Sequence, residues 1–105
     1  MSARFILYGM EGWALNEASR SISTALGVEF SVRNSSYKGG DYYFYRGVGR
    51  LEISIEENVR DDEGILGEPE FPQFDALVYV NCSISEVERK LSTVEDLQLL
   101  RAETI

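Results

Sequence analysis

The chain has 105 residues, 44% of them hydrophobic and 27% charged, a composition that suits one globular domain and excludes intrinsic disorder. No apolar run approaches the roughly 20 residues that cross a bilayer, and we find no signal-peptide pattern, so we expect one soluble domain over residues 1–105 in the cytoplasm. The net charge is −8, and residues 51–105 carry fourteen acidic side chains against four basic ones. This balance disfavours direct binding to nucleic acid or to an anionic membrane.

The first elements in chain order are predicted to be strands around one helix. Residues 4–8 form an apolar run that ends at a glycine, which is typical of a strand buried on both faces. Apolar residues then recur at helical spacing over residues 15–26, and Gly27 stands where the end of a helix favours glycine. Alternation of apolar and polar residues over 28–32 predicts a second, half-exposed strand.

The clearest local signal is a β-hairpin, with strands over residues 42–46 and 50–56 and a glycine-containing turn over residues 47–49. In its second strand, side chains alternate between two faces. Three apolar residues share one face, Leu51, Ile53 and Ile55. Three polar residues share the other, Glu52, Ser54 and Glu56. We therefore expect one packed face and one wet, acidic face.

The remaining residues predict a long loop, a strand, a helix and a last strand. Residues 57–75 are rich in Asn, Asp, Gly and Pro, which leaves little room for regular structure. Residues 76–80 are apolar and predict a buried strand. Ser85 and Glu88 match a capping box, so a second helix is expected to begin there and to end near Val94. For residues 97–105 we favour a strand over a frayed helical end.

The predicted order of elements, β-α-β-β-β-β-α-β, indicates an α+β fold. Two amphipathic helices each need an apolar surface, and a mainly antiparallel sheet with one apolar face supplies it. We predict a two-layer sandwich with both helices on one face of the sheet, and a ferredoxin-like arrangement is one that fits.

The residue types present argue against catalysis. The chain has no histidine and one cysteine, Cys82, which excludes histidine-based triads and the usual zinc sites and leaves no internal disulfide. Acidic pairs such as Glu56 with Glu57 lack the ligand spacing of a calcium loop. We predict no catalytic residue, no metal site and no cofactor. Trp13 either closes one end of the core or covers a ligand pocket.

The acidic and aromatic residues after residue 40 are the candidate binding surface. Nine of the eighteen acids lie within residues 52–75, opposed only by Arg60. Such a run is often a solvated loop, and the adjoining tyrosines could form a ladder that only stabilises the hairpin. Alternatively, carboxylates and exposed tyrosines together suit a protein interface with a basic groove. We assign ten residues to partner binding: Tyr43, Tyr45, Glu52, Glu56, Glu57, Asp61, Asp62, Glu63, Glu68 and Glu70.

A small, acidic, histidine-free α+β chain with the stretch 41–81 resembles bacterial immunity proteins, which neutralise toxic nuclease domains of contact-dependent and other polymorphic toxin systems. The resemblance covers the size, charge and general pattern of the whole chain. It implies tight one-to-one binding of a cognate basic toxin or nuclease domain, either in its active site or on a neighbouring surface. That family is diverse in fold, so no site residue is carried over by position.

From the sequence we expect a non-catalytic protein-binding inhibitor, an immunity protein that is a monomer or a weak homodimer. The alternative is a small-ligand-binding or regulatory ferredoxin-like module, dimeric through its sheet, with a pocket near Trp13 and the aromatic strand. An enzyme that uses carboxylates or tyrosine is a third reading, but the sequence places no acid and base in a common cleft.

Overall fold

A computed structural model describes residues 2–35, 40–60 and 63–105. Eight elements follow one another in the predicted order. They are β1 (Arg4–Met10), α1 (Leu15–Leu26), β2 (Ser31–Ser35), β3 (Gly40–Arg46), β4 (Glu52–Glu57), β5 (Ala76–Asn81), α2 (Ser85–Leu91) and β6 (Leu97–Thr104).

The six strands form one open sheet in the order β2-β3-β4-β5-β1-β6. Every neighbouring pair is antiparallel, so the predicted α+β fold with a mainly antiparallel sheet is confirmed. The four strands β6, β1, β5 and β4 have the order and directions of a ferredoxin-like sheet. Strands β2 and β3 extend that sheet beyond β4 as an additional hairpin.

Both helices pack on the same face of the sheet, as predicted. Ile22 of α1 and Leu91 of α2 are buried in one cluster with side chains of β1, β4 and β5, among them Ile53 and Val78. Burial of each such side chain contributes roughly 1.5–3 kcal/mol. The helices and this face of the sheet therefore form the main core.

The opposite side of the sheet, which we call the open face, is covered over only part of its area by described residues. Phe71 and Phe74, from the connection between β4 and β5, pack on Leu7 and Leu77. Gly9 permits this contact, because a Cβ atom there would lie 2.8 Å from the Phe74 ring. Part of this connection is thus a packed component of the fold.

Helix α1 has the bounds that the sequence predicts. Its N-cap is Ala14, whose backbone N–H donates to the Glu17 carboxylate at 3.4 Å. Gly27 closes the helix with a φ of 70°, a left-handed conformation that glycine adopts at little cost.

Helix α2 begins at Ser85, as predicted, but its capping and its C-terminal end differ from the prediction. Its N-cap is Ile84, which makes no side-chain capping bond, so the predicted capping box is wrong. Glu88 instead binds Arg4 at 2.9 Å and accepts a hydrogen bond from Ser83. The helix ends at Leu91 rather than near Val94, because the next residues turn back onto its last carbonyl groups.

Strand β2 begins at Ser31, three residues later than the alternation predicts. Val28 and Phe30 do pack partly against the core, which explains their apolar spacing. Pairing with β3, however, begins only where Ser31 faces Phe44. The alternation therefore detects the partial burial of Val28 and Phe30, but it is wrong for Val32, which is 60% exposed, and it places the strand too early.

Candidate protein-binding face

The part of the open face that Phe71 and Phe74 leave uncovered forms a groove of about 410 Å³ across β3, β4 and β5. We call it the aromatic–acidic groove. Its lining residues are Tyr42, Phe44, Glu52, Ser54, Glu56, Tyr79 and Asn81.

The strand register explains why these side chains meet. Residues directly opposite each other on neighbouring antiparallel strands share a face. Ser54 lies between Phe44 of β3 and Tyr79 of β5. Because serine is small and Ser54 is buried, Ser54 forms the bottom of the groove, and the rings of Phe44 and Tyr79 form its two sides.

The second row across the groove is polar. Glu52 of β4 lies opposite Arg46 of β3 on one side and opposite Asn81 of β5 on the other. Arg46 forms an ion pair with Glu52 at 2.6 Å, and both side chains keep partial contact with solvent. Glu56, farther along β4, accepts a hydrogen bond from the Ser54 hydroxyl.

An arginine from the edge of the sheet already contacts this groove. The Arg33 guanidinium lies over the Phe44 ring, 4.2 Å from the ring centroid, which is cation–π geometry. Together with the pair between Arg46 and Glu52, this contact indicates that aromatic and carboxylate groups of the groove are accessible to guanidinium groups.

Glu68 and Tyr79 form the border between the groove and the covered part of the open face. The Tyr79 hydroxyl donates to Glu68 at 3.0 Å, and Arg101 of β6 pairs with the same carboxylate at 3.2 Å. Burial of Tyr79, and then its hydrogen bond to Glu68, raise the pKa of the phenol well above 10.0. Glu68 is 14% exposed and has its partners within the chain, so its role here is structural.

The structure does not bring the two predicted tyrosines to this groove. Tyr43 and Tyr45 lie opposite Ile55 and Ile53, on the helix side of the sheet, and pack against the main core. Tyr45 also makes an edge-to-face contact with Phe30, with ring centroids 6.0 Å apart. These two rings therefore line the core, while their neighbours in the strand face the carboxylates.

The remaining predicted residues have different surroundings. Glu52 and Glu56 line the groove, and Glu68 borders it. Glu63 and Glu70 are exposed in the connection between β4 and β5. Asp61 and Asp62 lie outside the described residues.

A second depression, of about 400 Å³, lies beside Trp13, where β4 ends and β5 begins. Trp13 packs partly on the core, and its indole N–H donates to Asp96 at 3.2 Å. The Gly12 backbone N–H donates to Asp75 at 2.8 Å. Glu57 lines this depression with Asp75, so it lies apart from the aromatic–acidic groove. Trp13 thus both closes the core and borders a depression.

Sequence reasoning missed Tyr42, Phe44, Tyr79 and Asn81 as groove residues. A signal for the first two was present, because Leu51, Ile53 and Ile55 mark the buried side of β4. Pairing across the hairpin then assigns odd-numbered residues of β3 to the core. For Tyr79 and Asn81 the signal was absent, since β5 is apolar on both faces over most of its length.

No protein-family model, no curated protein and no solved structure matches the chain. Within residues 2–35, 40–60 and 63–105, no helix is long and apolar enough to cross a membrane. Over the same ranges, no three or more Asp, Glu, Cys or His side chains are grouped so that they could hold a metal ion.

Proposed function

We propose that the chain is a non-catalytic inhibitor that binds a basic protein domain through its aromatic–acidic groove. The observation that carries this proposal is the uncovered surface where Phe44 and Tyr79 flank a buried serine beside the carboxylates of Glu52 and Glu56. Exposed aromatic side chains give a large contact area at small cost in conformational entropy, and carboxylates give directional contacts to arginine or lysine.

The intramolecular arginines support a basic partner. Arg33 over Phe44 and Arg46 on Glu52 show the contacts that an arginine of the partner would make with the same groups. Exchange of one guanidinium for another leaves no carboxylate buried without a partner, which keeps the cost of docking low. The net charge of −8 would draw a basic domain towards the chain over longer distances.

We infer that the partner is a toxin of the nuclease type and that the chain acts as its immunity protein. A nuclease domain must attract phosphate groups, so its functional surface is basic. An acidic surface with half-buried rings suits that target, as the whole-chain resemblance to bacterial immunity proteins implies. Binding would neutralise the domain by occupying its active site or a surface beside it.

The test begins with the gene next to that of this chain. If the upstream gene encodes a large secreted protein with a basic C-terminal domain, that domain should co-purify with this chain and lose its toxicity. Phe44→Ala should raise Kd by roughly thirtyfold or more if Phe44 is an anchor of the interface. Val32→Ala is the matched control, because Val32 is exposed on the neighbouring strand but on the helix side.

A second variant tests the contribution of charge to binding separately from that of the aromatic contact. Glu56→Gln should weaken binding while Glu29→Gln, which removes an exposed carboxylate elsewhere, should not. Equal affinity of wild-type chain and both groove variants for the domain would contradict the proposal. So would the absence of any complex with the basic domain.

A second candidate function rests on the depression beside Trp13. A small-ligand-binding or regulatory module would use this aromatic ring together with Glu57 and Asp75, which suits a small cation. A panel of amino acids and small amines should then raise the melting temperature of the chain, and Trp13→Ala should abolish the shift. No shift with any member of the panel would count against this function.

A further inference from the structure

Strand β6 lies at one edge of the sheet and has eight residues. It pairs with β1 on one side, and no strand among the described residues pairs with its other side. Two apolar side chains at this edge are exposed to solvent: Leu99 within β6 is 59% exposed, and Ile105 directly after β6 is 75% exposed. An exposed edge of this length is a template for pairing with another strand. The other edge strand, β2, has five residues.

The hydrogen bonds to β1 define which backbone groups of β6 point outwards. Ala3 and Ile105 exchange both backbone hydrogen bonds, each at 2.8 Å. Since these pairs alternate along antiparallel strands, Glu103 and Arg101 also direct their N–H and C=O groups towards β1. Ala102 and Thr104 therefore present theirs to the free edge.

The side chains around Ala102 are self-complementary. If a second β6 lies antiparallel about a two-fold axis at Ala102, Arg101 of each copy faces Glu103 of the other. Within one chain the Arg101 guanidinium already lies 3.2 Å from Glu68 and 3.8 Å from Glu103, and the Arg101 and Glu103 side chains remain 40% and 59% exposed. A register centred one residue earlier or later would place Arg101 opposite Arg101, or Glu103 opposite Glu103, and like charges directly opposite are destabilising.

We propose that β6 pairs with β6 of a second copy in the register centred on Ala102, so that two sheets join into one. The pairing gives reciprocal backbone hydrogen bonds at Ala102 and two ion pairs between Arg101 and Glu103. The bulge at Leu100, directly before Arg101 in β6, limits the ladder to a short segment, and the two net charges of −8 repel, so the dimer is weak.

The joined edge also covers a depression on the open face. A space of about 320 Å³ adjoins β6, with Phe5 and Leu7 in its lining together with Arg101, Glu103 and Ile105. In the proposed register, the charged side chains of the second copy lie beside this space. Apolar surface at the edge therefore loses contact with water on pairing.

Charge exchange tests the register directly, with sedimentation velocity from low micromolar to millimolar chain concentration as the measurement. Glu103→Arg should raise the dimer Kd by about tenfold or more, because each arginine then faces Arg101 of the other copy. Arg101→Glu should do the same, and because it also removes the ion pair with Glu68, circular dichroism and urea unfolding first establish that this variant is folded. A mixture of the two single variants should form a heterodimer, since each copy then supplies the charge that the other lacks.

Ala102→Pro is an independent test, because Ala102 donates its N–H outwards and proline removes that donor. The variant should remain folded by circular dichroism and should be monomeric. A wild-type chain that is monomeric throughout the range would overturn the proposal. A dimer that survives both Glu103→Arg and Ala102→Pro would overturn it as well.

Discussion

Tyr79 shows how a single hydroxyl links the cover of the sheet to the groove. The ring lies on β5 beside Ser54, and its hydroxyl donates to Glu68 in the connection that crosses the open face. Because burial and this bond raise the pKa of Tyr79 above its ordinary value of 10.0, the folded chain holds the phenolic proton more tightly than the unfolded chain. The stability from this linkage is complete below about pH 10 and is lost as the pH rises further.

We predict that Tyr79→Phe lowers the free energy of unfolding at neutral pH by about 1.5–3 kcal/mol, the usual contribution of a hydrogen bond to a charged group. The fall in stability between about pH 9 and about pH 11 should be shallower in the variant, because one linked proton is gone. Tyr8, whose pKa is also raised by burial and then by Glu88, accounts for part of the slope that remains. Urea unfolding across this pH range measures both quantities.

Tyr45→Phe is the matched control for that prediction. Tyr45 is partly buried on the other side of the sheet, and its hydroxyl has no hydrogen-bond partner among the residues that the structure describes. Its loss should change stability by less than about 0.5 kcal/mol. Parallel pH profiles for wild type and Tyr79→Phe would contradict the linkage.

At the scale of elements, Asn58 fastens the connection between β4 and β5 to the sheet. Its side-chain oxygen accepts from the Glu68 backbone at 3.0 Å, and its amide donates to the Phe71 carbonyl at 3.0 Å. Its own backbone N–H donates to the Asp75 carbonyl at 3.0 Å. The Asn58 side chain thus forms hydrogen bonds with the backbone at Glu68 and at Phe71, in a connection that has little regular strand pairing of its own.

We predict that Asn58→Ala costs about 1–3 kcal/mol of stability, because partly buried backbone groups lose their partners. It should also increase hydrogen exchange over residues 63–75, since Phe71 and Phe74 would be held less firmly on Leu7 and Leu77. Hydrogen exchange read by mass spectrometry distinguishes this local opening from a global loss of stability. Asn34→Ala, which removes only an exposed bond to Asp41, should leave the exchange of residues 63–75 unchanged.

Sequence periodicity predicts the elements of this chain better than it predicts their ends or the residues of the candidate binding face. The helix over residues 15–26 and the hairpin are recovered because burial on one side imposes period 3.6 or period 2. The prediction starts β2 too early and ends α2 too late for the same reason. Val28, Phe30 and Val94 contact the core although they lie outside the strand and the helix. Burial and hydrogen-bonded pairing are different properties, and periodicity reports only burial.

The candidate site was harder to predict, because charge along the chain does not determine position in space. Glu56 and Glu57 are neighbours in sequence, yet one lines the aromatic–acidic groove and the other the depression beside Trp13. Glu68 accepts a hydrogen bond from Tyr79 and forms an ion pair with Arg101, although Arg101 is far from Glu68 in the sequence. Only the sheet order brings such residues together.

At the scale of the whole molecule, the excess of negative charge governs association more than it governs the strength of contacts. Both carboxylates of the groove already have partners within the chain, Glu52 with Arg46 and Glu56 with Ser54. The net charge of −8 acts over distances of roughly 10 Å at 0.1 M salt and less at higher salt.

We therefore predict that raising the salt concentration from about 0.05 M to about 0.5 M slows association with a basic partner by about tenfold or more, since steering is screened. The dissociation rate should change much less, because docked rings and paired charges are shielded. Stopped-flow or surface-based kinetics separate the two rates. A salt effect confined to dissociation would show that long-range charge is not what recruits the partner.

The position of β1 between β5 and β6 has a consequence for how the chain acquires its structure. During synthesis β1 emerges well before β5 and β6, its two neighbours in the sheet. Its backbone hydrogen bonds and its apolar contacts with these strands can therefore form only after the C-terminal part of the chain has been made. The sequential strands β2, β3 and β4 can pair as soon as they emerge. High contact order of this kind slows folding, and a nascent chain that stalls before β5 would expose a central strand to aggregation.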